Sequence, residues 1–156
     1  MPAALRKRGA TSTDARRAAS LRGDADAGIP WLRDHAEPWA DSGFAFHLWW
    51  HLALLHMDRG DARTALKLYD EKIRPVPDTQ VALEWIDASA LLWRLHLEGV
   101  DDGERSAPLA KCWTRAAEDG FYAFNDVHAL MAFIGAGRMT EAERTLAVMR
   151  RVAGVN

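Results

Sequence analysis

The stretch Phe44–Ile73, FAFHLWWHLALLHMDRGDARTALKLYDEKI, decides the fold. Its first half is apolar nearly all round, the pattern of a helix buried between neighbours. Gly60 then follows the apolar run at a position where a left-handed cap costs glycine nothing. The second half is amphipathic, with Ala62, Ala65, Leu66, Leu68, Tyr69 and Ile73 on its inner side, and Pro75 and Pro77 stop it. Two helices joined by a short glycine turn make an antiparallel pair.

The same punctuation recurs along the chain. RGDA occurs at Arg22–Ala25 and again at Arg59–Ala62, and the turn glycines Gly23, Gly60, Gly99 and Gly137 are 37, 39 and 38 residues apart. A fixed period of this size marks an array of supersecondary units. VALEWIDASALLWRLHLEG with APLAKCWTRAAEDG forms a third pair, and NDVHALMAFIGAG with TEAERTLAVMRRVAG a fourth. Thr140 and Glu143 have capping-box spacing and are expected to start the last helix. No stretch sustains period-2 alternation, so the fold class is all-α. Trp49, Leu52, Ala53, Gly60, Ala65, Tyr69 and Pro77 follow the tetratricopeptide pattern in order and spacing; Gly137, Ala142 and Leu146 repeat part of it. The expectation is a tetratricopeptide-like α-α superhelix of about four antiparallel helix pairs over residues 12–35, 43–73, 79–118 and 124–153, stacked right-handed. Gly28 and Pro30 are expected to interrupt the second helix of the first pair. First helices would line an inner groove.

Composition agrees with a single such domain. The chain has 156 residues, 49% apolar and 27% charged, a balance that supports a buried core. Seven tryptophans imply large aromatic surface, either buried or offered to a partner. The single Cys112 excludes an internal disulfide framework and a cysteine-based zinc cluster, and its amphipathic setting predicts a buried thiol. No apolar run approaches the roughly 20 residues that span a bilayer, so no membrane association is expected. Residues 1–22 carry six basic side chains and one acid, a net +5, against −7 for the remainder. They read as a basic leader, partly helical or flexible, before a repeat domain over 23–156. An acidic body argues against nucleic-acid binding, and the expected location is cytoplasmic.

Three stretches, FAFHLWWHLALLHMDRGDARTALKLYDEKI, DASALLWRLHLEGVDDGER and FYAFNDVHALMAFIGAGR, resemble the tetratricopeptide repeat protein 38 family. The resemblance runs from about Asp24 to about Met149 and involves three motifs in order. It covers only the C-terminal part of the family, whose members are longer. It implies an α-helical tetratricopeptide-like fold and no defined reaction. It also implies that surface covered by front repeats in longer members is exposed here. Ile29, Trp31, Leu32 and Trp39 would then seek another chain, which predicts a homo-oligomer, a dimer first.

The candidate site follows from the histidines. With each turn glycine at position 15, His47, Trp50 and His51 fall at positions 2, 5 and 6 of the second unit, and His128 at position 6 of the fourth. Ile86, Ser89, Ala90, Trp93 and His96 occupy groove positions of the third; Asp87, Asn125 and Asp126 lie just off the stripe. A ligand-binding groove of His47, Trp50, His51, Trp93, Asn125 and His128 is therefore expected, offered to a peptide, a protein or a small ligand. The alternative is an uncharacterised enzyme using His51, Asp87, Asp126 and His128 as acid and base. No metal or cofactor is expected: His47 and His51 have a permitted but unspecific HxxxH spacing, and helices two units apart lie too far apart to share an ion. His56, at a packing position, is expected to be interior or half-buried. Trp49 and Trp113 are expected in the core.

Overall fold

The computed structural model describes residues 24–114 and 122–154, and every described element is helical. In chain order these are α1 (Ala25–Asp34), α2 (Ala45–Asp58), α3 (Ala62–Leu68), α4 (Ala82–Leu97), α5 (Ser106–Thr114), α6 (Ala123–Gly135) and α7 (Met139–Val152). α3 continues into one π-helical turn, Tyr69–Ile73. The Arg74 amide reaches back five residues to the Tyr69 carbonyl at 2.8 Å there, and Pro75 follows. The basic leader, Gly23 and the first helix expected for the first pair lie outside the described residues.

The turns are built as the glycine spacing predicts. Gly60, Gly99 and Gly137 have φ of 73°, 73° and 68°. At each, the glycine amide bonds the carbonyl three residues back, and the next amide bonds one five residues back. These pairs are Gly60 to Met57 and Asp61 to His56, Gly99 to His96 and Val100 to Leu95, and Gly137 to Ile134 and Arg138 to Phe133. This is the Schellman arrangement, which satisfies carbonyls left orphaned at a helix end. The aspartate of each RGDA starts the following helix: Asp24 Oδ1 accepts from Ala27 N at 3.0 Å, and Asp61 Oδ1 from Thr64 N at 3.1 Å. The repeated tetrapeptide is thus a stop followed by a start.

α2 packs on α1, α3 and α4; α4 packs on α5 and α6; α6 packs on α5 and α7. One core cluster joins α1 to α2 through Ile29, Leu32, Trp39, Leu48, Leu52 and Leu55. A larger one runs from α2 to α7 and includes Ala53, Tyr69, Leu91, Leu95, Trp113, Phe133 and Ala142. Alanines at 53, 65, 88 and 129 have no exposed surface, which lets helices approach closely. Half-buried Trp49 touches both clusters and meets Trp39 edge-on at 4.7 Å, so it bridges them rather than lying fully inside. Trp113 is fully interior: its Nε1 donates to Ser89 Oγ at 2.9 Å, and Ser89 donates to the Trp85 carbonyl at 2.7 Å. Cys112 is buried, with Arg74 Nη2 3.1 Å from its sulfur.

Three expectations are corrected. α1 runs unbroken through Gly28 and Pro30, because the Asp24 cap anchors its start and Pro30 sits on the exposed side, where the carbonyl it leaves unbonded can meet water. Thr140 does not cap the last helix: that helix begins at Met139, with Arg138 as the preceding residue, since the Arg138 backbone is already committed to the Schellman turn. Ile29, Leu32 and Trp39 do not form an exposed patch; α2 covers them, and Trp31 stacks on His35 at 4.8 Å. The ground for expecting a homodimer on that patch is thereby removed.

A Cβ at Gly60 or Gly99 would meet nothing within 4 Å, so substitution there tests backbone strain alone. Gly60→Ala and Gly99→Ala should each cost about 1–2 kcal/mol in urea unfolding, whereas Gly43→Ala, equally open and without the left-handed φ, should cost little. Ser89→Ala strands the buried Trp113 N–H and should cost about 1–3 kcal/mol in the same measurement.

Candidate functional site

One half-buried edge of α2, with Phe44 just before it, is a run of rings in mutual contact. Residues three and four apart share a helix face, so Phe44, His47, Trp50 and His51 form one stripe. Ring centroids lie 4.8 Å apart for Phe44 and His47, 5.4 Å for His47 and Trp50, 4.7 Å for His47 and His51, and 5.0 Å for Trp50 and His51. His47 and Trp50 are nearly parallel, at 13°. From α4, the Arg94 guanidinium lies 5.4 Å over the Trp50 ring, a cation–π contact, while its Nη1 donates to the Ala90 carbonyl at 3.0 Å.

α4 also supplies the carboxylate. His47 Nδ1 lies 2.9 Å from Asp87 Oδ2, joining residues 40 apart in sequence across the α2–α4 packing. Asp87 is only 6% exposed, so this contact provides a partner for a carboxylate that would be costly to bury alone. When His47 donates Nδ1–H to Asp87, Nε2 is left as the acceptor nitrogen, the tautomer that suits a base. His47 stays half-buried and Asp87 nearly closed off. Acid–base chemistry is therefore geometrically available at His47.

The other expected residues divide. His51 belongs to the ring stripe. His128 is buried and its Nδ1 lies 2.7 Å from the Phe124 carbonyl of its own helix, with the Phe124 ring 4.5 Å away. Asp126 is buried, 4% exposed, and desolvation pushes its pKa above the usual carboxylate range. Asn125 is half-buried at the start of α6. Trp93 is half-buried and stacks on His96 at 5.3 Å, further along α4. Ile86, Ser89 and Ala90 are not groove residues: all three are buried. The face of α4 they share is taken by neighbouring helices, and Ser89 is committed to Trp113. Arg94, Phe44 and Phe124 were not among the expected residues, yet Phe44 and Phe124 are 50% and 51% exposed beside the histidines. Phe44 stands three residues before His47, Arg94 seven after Asp87 and Phe124 four before His128, each a same-face spacing readable in the sequence.

His56, half-buried as expected, places Nδ1 3.1 Å from Asp61 Oδ2 at the opposite end of α2. Hydrogen bonds from Thr64 hold the Asp61 carboxyl below its ordinary pKa. Among the described residues, no group of three or more His, Cys, Asp or Glu side chains is arranged to hold a metal ion, and no helix is long and apolar enough to cross a membrane. Comparison of the chain with protein-family models and with solved structures finds no match.

Asp126 fixes a pH dependence. Its acid form is favoured in the folded state, so ionisation above the folded pKa works against folding, and the penalty is absent below the unfolded value of about 3.9. Asp126→Asn should therefore raise the melting temperature at pH 7, and the gain should shrink to nothing as the pH falls below about 4.

Proposed function

We propose that this chain is a tetratricopeptide-like scaffold that binds a peptide or protein segment along the face carrying Phe44, His47, Trp50 and His51. Its relation to the tetratricopeptide repeat protein 38 family belongs to the same reading. Supporting the architecture are the three Schellman glycines at near-constant spacing and the consecutive packing of α2, α4 and α6. The observation that carries the function is the cluster in which Trp50 stacks on His47 and has the Arg94 guanidinium over its ring, with half-exposed Phe44 against His47. Aromatic and arginine side chains concentrated in this way are the anchor chemistry of protein interfaces, and their polar edges orient an extended or helical segment. Trp93 and Asn125, both half-buried, extend the proposed surface toward α6, where buried His128 is held to the Phe124 carbonyl. Small-ligand binding on the same face remains within this reading. The chain is taken as cytoplasmic, without nucleic-acid or membrane partners.

A second reading rests on the His47–Asp87 contact at 2.9 Å: a histidine base oriented by a buried carboxylate. It shares Asp87 with the expected constellation of His51, Asp87, Asp126 and His128 and adds His47 as the residue seen to meet that carboxylate.

Affinity enrichment from a lysate, compared between the natural chain and its Trp50→Ala and Phe44→Ala variants, tests the scaffold. A partner retained by the natural chain should lose at least tenfold in binding to each variant, about 1.4 kcal/mol. Phe44→Ala, on a half-exposed ring, should change unfolding stability by no more than about 0.5 kcal/mol. Binding unchanged in both variants removes the face from the interface. Loss of binding only in step with unfolding makes these rings structural.

A further inference from the structure

A second concave surface lies on α2, away from the histidine stripe. α1 and α3 both pack on α2 with little contact between themselves, and the space between them is a cleft of about 420 Å³. Its floor and wall are apolar: Trp49, Leu52 and Leu68. Its rim is cationic. Arg33, in the last turn of α1, makes no ion pair among the described residues. Lys67 is the second cation of the rim, and Lys72 Nζ stands 5.3 Å from the centre of the Trp49 ring. Glu71 is the one carboxylate lining the cleft, 3.9 Å from Lys67, and both side chains are more than half exposed, where such a pair is weak. His56, also on the wall, is turned to Asp61.

We infer that this cleft binds an amphiphilic anion: an apolar or flat aromatic body laid on Trp49 and Leu68, with a carboxylate or sulfonate head at Arg33 and Lys72. Size, floor and charge point the same way. A volume of this order suits a small molecule. The lining holds two cations, Arg33 and Lys67, against one carboxylate, and Lys72 adds a third positive charge over the Trp49 ring. Other clefts lack this combination. One of about 460 Å³ between α3 and the α4–α5 connection sets Arg63, Lys67 and Arg105 against Asp70 and Glu71, but it has no aromatic side chain, and its Arg105 is already paired with Asp70 at 2.7 Å. One of about 500 Å³ beside α7 sets Arg144 against Glu141 and has no tryptophan. The inference is independent of the peptide-binding reading, because Trp50 and His47 take no part in it.

The probe is 8-anilinonaphthalene-1-sulfonate, titrated into the full-length protein and followed by its fluorescence, with dodecanoate and dodecyltrimethylammonium as competitors. Saturation at one probe per chain is expected, displaced by dodecanoate at a concentration at least tenfold lower than by the cationic amphiphile. The double variant Arg33→Glu/Lys72→Glu, at exposed positions, should weaken binding at least tenfold with an unchanged circular dichroism spectrum. Leu68→Trp, which fills the cleft without altering charge, should weaken it comparably, while Trp50→Ala should leave it within twofold. Equal displacement by both amphiphiles, or unchanged affinity in the charge-reversed variant, overturns the inference.

Discussion

α4 is the constraint on which the rest of the structure depends. Trp85 through Leu92 are all buried, and so is Leu95. A helix covered over so long an unbroken run has no single apolar stripe, so one neighbour cannot satisfy it. α2, α5 and α6 supply the cover, with the π-helical end of α3 also against it. Gly60, Gly99 and Gly137 close the turns that end α2, α4 and α6. Packing demand and turn chemistry thus enforce one another: helices needing cover on several sides are stacked by turns that leave no slack.

Such packing brings polar groups inside, and three of them are accommodated in different ways. Ser89 spends its hydroxyl twice, accepting from Trp113 and donating to a carbonyl of its own helix. Asp87 is met by His47 from the adjacent helix. Asp126, buried to a similar degree, is held back from ionisation by desolvation. The first arrangement fixes the register of α5 on α4, and the second fixes α2 on α4. The second also orients the His47 ring, so a packing contact and a base-orienting contact are the same contact. The functional interest of the α2 edge grows out of the way this array holds itself together.

Legibility in the sequence varied with the kind of information. Gly60, Gly99 and Gly137 announced their turns because a left-handed cap is a local requirement of the backbone. RGDA announced a boundary for the same reason, and its aspartates prove to be the caps of α1 and α3. Thr140 misled because its capping pattern with Glu143 was intact, yet the preceding Schellman turn had already set the start of α7 two residues earlier. Ser89 misled because position within a repeat says which way a side chain points in an average unit, not whether a neighbour's indole is there to receive it.

The sequence by itself determined the helical class, the order of α2 to α7, the glycine turns and the stripe of His47, Trp50 and His51, since all of these depend on residues within a few positions of one another. Only the tertiary structure decided that Asp87 belongs to His47, that Arg94 lies over Trp50, and that Ile29, Leu32 and Trp39 are covered within the chain. Those contacts join residues on separate helices. They depend on the rotation and offset of one helix against the next, which close packing of every side chain in the core settles together and no local pattern records.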